Sequence, residues 1–184
     1  MKWLRAAAAL LPLLLAGWAL DRTCLHAWHC NATVTQAERN TSAMFGFADA
    51  LAVKASTRTT LVPLEACLHA CDAAHRVQAL MVLAASYRIL NERPQAANAY
   101  RQALELDCRP EIYLNLAEVE YELGQREAAT RHFAMVLAMA PFMIDYEPGA
   151  KEITTAEHIP TDLLYPALAM VPAARRELIA GRRL

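Results

Sequence analysis

The residues best suited to chemistry gather in two short stretches. The first, TCLHAWHCN, holds Cys24, His26, His29 and Cys30, and the second holds Cys67, His69, Cys71 and His75. Thiolate sulfur and neutral imidazole nitrogen are natural ligands for zinc and copper(I), so either stretch suits a metal site. The spacing is against it, because the chain has no C-x2-C pair and no C-x2-C-H for covalent haem. In an exported chain the same cysteines suit disulfides, which persist in an oxidising compartment. Cys67 and Cys71 lie one helical turn apart, and a bridge inside one helix strains disulfide geometry. The expected pairing therefore joins Cys24 or Cys30 to Cys67 or Cys71. Five cysteines leave one over, and Cys108 is the expected odd one. The disulfide staple, with no bound metal and no cofactor, is the first expectation. A periplasmic metal-binding or redox protein using the Cys24–Cys30 cluster is the alternative.

Little else in the chain suits catalysis. G-x-S-x-G, H-E-x2-H, the phosphate-cradling glycine loop and the dinucleotide fingerprint are all missing. Isolated histidines such as His132 and His158 read as surface residues. A formal net charge of -1 gives no general attraction to phosphate backbones or anionic lipid, so nucleic-acid binding is not expected. The expectation is a protein that is not an enzyme.

The elements that position these residues are helical. Hydrophobic residues make up 56% of the chain with only 5 glycines, and Ala and Leu dominate, which favours helix over sheet. The N-terminus places Lys2 and Arg5 before an uncharged run from Ala6 to Leu20, the pattern of an export signal. Cleavage after Ala19 would make residues 1–20 a signal peptide. Trp3 and Trp18 at its two ends suit an uncleaved single-pass anchor instead. Both readings put the rest of the chain outside the cytoplasm, in a bacterial periplasm.

A repeat decides the fold. Leu80, Leu83, Ala84, Leu90, Ala96, Tyr100, Ala103 and Leu106 recur 33 residues later as Tyr113, Leu116, Ala117, Leu123, Ala129, Phe133, Val136 and Met139. Small answers small and large answers large. Each copy has an apolar run at helical spacing, a polar turn and a second helical run, so each unit is a helix hairpin. Ala84 and Ala96, like Ala117 and Ala129, let the two helices approach closely. Gly124 and Asn91 occupy matching places where a left-handed residue ends a helix.

These residues resemble the tetratricopeptide repeat, whose pattern is W-x2-L-G-x2-Y followed by A-x3-F-x2-A-x4-P. The first copy offers Leu80, Leu83, Ala84, Tyr87, Ala96, Tyr100 and Ala103; the second offers Tyr113, Leu116, Ala117, Ala129, Phe133, Val136 and Pro141. Glu120 stands where the family has tyrosine, and Cys108 where it has proline. The resemblance implies an all-α fold, a short right-handed superhelical stack of antiparallel hairpins. About three repeats are needed for a stable stack, so further elements must extend it. The expected organisation is an apolar segment at 1–20, a Cys/His linker at 21–34 and a degenerate hairpin at 35–76. The two repeats follow at 77–141, then an irregular connection and a C-terminal capping helix at 142–184. Within the degenerate hairpin, Thr41 or Ser42 is expected to cap the first helix and Thr57–Thr60 to break the chain. The final helix is expected to start near Pro172.

In this family partners lie along the first helix of each hairpin, and the resemblance places Gln78, Met81, Arg88, Glu111, Leu114, Glu118 and Tyr121 there. The lysines and asparagines that grip a peptide carboxylate in the best-known variant are absent, with Met81 and Ala85 at their places. A mixed apolar and acidic groove suits a protein or peptide segment with aliphatic anchors and a basic residue. The other reading is that Met81, Leu114 and Tyr121 pack against neighbouring helices. The function expected is a protein-interaction scaffold that assists assembly of an envelope complex, with a homodimer as a further possibility.

Overall fold

A computed structural model of the chain describes residues 29–43, 49–68, 73–140 and 159–172. Among these residues the protein is all-α, with no strand. Helix α1 covers residues 29–43. It is followed by α2 (Ala50–Cys67), α3 (Ala73–Ile89), α4 (Arg93–Leu106), α5 (Pro110–Glu122), α6 (Arg126–Met139) and α7 (Thr161–Met170). The chain divides into two compact units, Met1–Ala79 and Leu80–Leu184. The expected N-terminal apolar helix and the helix after Pro172 lie outside the described residues. No helix among the described residues is long and apolar enough to cross a membrane.

In the first unit α1 and α2 run antiparallel. Their far ends are joined by a disulfide between Cys30 and Cys67, whose Cα atoms are 5.2 Å apart. A buried polar knot ties them further along. The Asn40 carbonyl accepts from Ser56 Oγ at 2.9 Å, and its amide donates to Thr60 Oγ1 at 3.4 Å. A buried amide costs free energy unless it is hydrogen-bonded, so these partners fix how the two helices face each other.

Three local expectations are corrected here. Residues 29–34 are helical, not a linker. Thr41 does not cap a helix but sits inside α1, where its hydroxyl donates to the Glu38 carbonyl. Asp49 is the cap that matters, accepting from the Leu51 amide at 2.9 Å at the start of α2. Nor do Thr57–Thr60 break the chain, since α2 runs through them. The threonine hydroxyls satisfy themselves on the helix: Thr57 donates to the Val53 carbonyl, Thr59 to that of Ser56 and Thr60 to that of Thr57. This back-bonding lets weak helix formers stay helical. Pro63 also lies inside α2, and its missing N–H leaves the bond to the Thr59 carbonyl unmade.

In the second unit the repeat is reproduced in backbone detail. The Glu92 amide donates to the Tyr87 carbonyl and that of Asn91 to Arg88; 33 residues on, Gln125 donates to Glu120 and Gly124 to Tyr121. These are the paired bonds of one helix-terminating motif. Asn91 and Gly124 adopt its left-handed conformation, with φ 67 and 75. The alanines expected between the helices, Ala84, Ala96, Ala117 and Ala129, are all fully buried, and Tyr100 and Phe133 are buried beside them. Helix α7 packs on α6. Leu163, Leu164, Ala167 and Val171 close a core with Leu114, Ala117, Phe133 and Leu137 from α5 and α6.

Candidate functional site

The helix faces expected to meet a partner are rich in internal contacts. Arg88 on α3 donates from Nη1 to Glu118 Oε2 at 2.8 Å and from Nη2 to Glu122 Oε1 at 3.3 Å, both on α5. Arg93 adds a 2.5 Å bond to the other oxygen of Glu122. Glu118, expected to face a partner, and Glu122 are thus paired within the protein. The Arg88 guanidinium also lies against buried Tyr100. Burial pushes that hydroxyl up to about 12, and the cation only partly offsets the effect.

The apolar positions divide. Leu114 is 6% exposed and belongs to the core shared with α7. Tyr121 is half-buried beneath Arg126, whose guanidinium carbon sits 5.7 Å from the ring centroid. Arg126 in turn pairs with Asp162 on α7. Met81 is half-buried, with its sulfur 3.6 Å from Arg109 Nη2. Gln78 is exposed and donates to Glu38 at 2.6 Å. Glu111 is exposed on the first turn of α5. Ala85, Ile89 and Asn115 are half-buried.

Sequence reasoning missed a second cluster. Glu120 is 1% exposed, and one carboxylate oxygen lies 2.7 Å from His132 Nδ1 while the other accepts from Arg101 Nη2 at 2.8 Å. Three helices, α4, α5 and α6, therefore meet on one buried charge. Burial alone would raise the Glu120 pKa, but the hydrogen bonds and charges of His132 and Arg101 outweigh it and hold the carboxyl below its ordinary value. The Tyr113 ring packs beside His132 at a centroid distance of 5.7 Å. The signal was present in the repeat: an acid at a core position, where the first copy has Tyr87, has to find a partner.

Of the cysteines, Cys30 and Cys67 are buried and bonded to each other, and Cys108 is an exposed free thiol. A cysteine in a disulfide has no thiolate to offer, so Cys30 is withdrawn from the proposed ligand cluster. Cys24 and Cys71, with His26 and His69, lie outside the described residues. Among the described residues no three of His, Cys, Asp and Glu converge as a metal-ligand set. Comparison of the chain with protein-family models, with curated proteins and with solved structures finds no match.

Proposed function

We propose that this chain is a non-enzymatic protein-interaction scaffold, a short tetratricopeptide-like stack working outside the cytoplasm in the assembly of an envelope or membrane complex. The observation that carries it is the recurrence of one helix-terminating motif at Asn91 and Gly124, with Ala84, Ala96 and Tyr100 buried around the first and Ala117, Ala129 and Phe133 at the matching places around the second. A regular hairpin repeat presents successive first helices side by side, which is how such scaffolds form a binding face. The Cys30–Cys67 disulfide supports an oxidising compartment. The face that remains for a partner runs over Ala85 and Ile89 of α3 and Glu111 and Asn115 of α5. Arg88, Glu118 and Glu122 hold the two helices in register beneath it.

Photo-crosslinking in intact cells tests this reading. A photoreactive residue at Ala85 or Asn115 is expected to yield a discrete protein adduct that Glu111→Arg weakens. Adducts appearing only at an outer position such as Arg131, or at none of these, would overturn it.

A further inference from the structure

Helix α7 is apolar on two sides. Leu163, Leu164, Ala167 and Val171 enter the core with α5 and α6. The opposite side carries Tyr165, Pro166, Ala169 and Met170, all exposed. Tyr165 is 66% and Met170 55% exposed. At about 100° per residue the four share about 140° of the helix surface. Together they leave on the order of 300 Å² of apolar surface in water, the scale at which such patches are often functional. Helical stacks normally end in elements with a polar outer face, because nothing packs beyond them. α7 closes the core of the second unit without one, since Asp162 in its first turn is the single charged residue from Thr161 to Met170.

The two edges of this face show what fits it. Tyr165 and Ala169 lie one helical turn apart on one edge, and Pro166 and Met170 one turn apart on the other. Each edge sets a large residue beside a small one, in opposite order along the helix. When two copies pack antiparallel about a twofold axis, each edge meets itself reversed. Tyr165 then lies over Ala169 of the second copy and Met170 over its Pro166, within about one residue's rise of a single register. Asp162 falls beyond the end of the second copy's helix, where it keeps its pairing with Arg126 and no charge is buried. A lipid surface is the poorer occupant, because α7 carries no Lys or Arg to meet anionic headgroups.

We propose that the outer face of α7 joins two copies of this chain, antiparallel and isologous. The area is well short of the roughly 800 Å² per partner of a standard stable interface, so the dimer is weak and depends on concentration. The proposal stands apart from the scaffold reading, which uses the first helices of the hairpins.

Sedimentation velocity of the full chain from micromolar to millimolar concentration tests it. Wild type is expected to pass from monomer to dimer across this range. Tyr165→Glu with Met170→Glu changes only exposed positions and is expected to raise the dissociation constant by at least about tenfold. A monomer throughout would overturn the proposal. So would unchanged dimerisation of the folded variant, the result expected if residues 6–20 or the first-helix faces associate instead. Ala169→Cys in a Cys108→Ser background decides the matter if the double variant does not fold. Residue 169 lies close to the twofold axis, so mild oxidation is expected to link the introduced thiols of two copies, as read by peptide mass spectrometry. Absence of that link would sink the antiparallel pairing.

Discussion

His132 and Glu120, twelve residues apart on successive helices, meet with Nδ1 2.7 Å from a carboxylate that is 1% exposed. The second hairpin has thus replaced the tyrosine of the first with a charge, and has recruited Arg101 from α4 and His132 from α6 as its hydrogen-bond partners. Removing one partner of such a group costs more than the pair contributes, because the other is left unsatisfied.

That carboxyl gives the fold an acid dependence. Its folded pKa lies below the unfolded value, so its contribution is present above the unfolded pKa of about 4.3 and is lost as pH falls through the folded value. Thermal unfolding from pH 7 down to pH 3 should therefore fall more steeply for wild type than for Glu120→Gln. At pH 7 the variant should be less stable by about 1–3 kcal/mol, and the two curves should converge in acid.

Tyr100 gives the opposite limb. Its folded pKa, raised to about 12 by burial, means that stability is intact below the unfolded value near 10 and is lost as pH rises through the folded one. Denaturant melts between about pH 10 and 12 should show a decline in wild type that Tyr100→Phe reduces. An identical decline in the variant would assign it to another group.

The helix-ending residues separate strain from packing. A Cβ added at Gly124 meets nothing within 4 Å, but its φ of +75 is costly for any side chain. Gly124→Ala should cost about 1 kcal/mol of stability through the backbone alone. Asn91→Gly should be neutral or slightly stabilising, whereas Asn91→Ala should cost about as much as Gly124→Ala; chemical denaturation of all three checks this.

Much of this is legible in the sequence. Gly and Asn at matching places announced the turns, because few residues tolerate left-handed backbone, and paired alanines announced where helices touch. That the first pair of cysteines bridges to the second followed from the strain of a bond within one helix, whereas the choice of Cys30 and Cys67 is set by how α1 and α2 pack. What was hidden depended on side chains meeting across helices. Arg88 and Glu118 look like groove residues until their 2.8 Å contact is seen, and Leu114 looks like an anchor until α7 covers it. The threonines of α2 misled because propensity counts their hydroxyls as competitors, while here they back-bond along the helix.

Helix α7 completes the core of the second unit, since Leu164 is 2% exposed within it. Leu164→Ala should destabilise the protein by about 2–5 kcal/mol. Amide exchange should report the loss across α5 and α6 as well as α7. Protection lost in α7 alone would mean that the three helices do not share one core.

The Cys30–Cys67 bond closes a loop with a sequence separation of 37 residues, and Cys30→Ala with Cys67→Ala should cost about 3–4 kcal/mol on loop-entropy grounds. Exchange in α1 and α2 is the measurement that locates the loss. The same bond also sets the load path. Tension applied at the N-terminus enters at Cys30 and leaves at Cys67, so α1 and α2 carry none of it. A chain pulled from its two ends would extend elsewhere first and keep this hairpin folded.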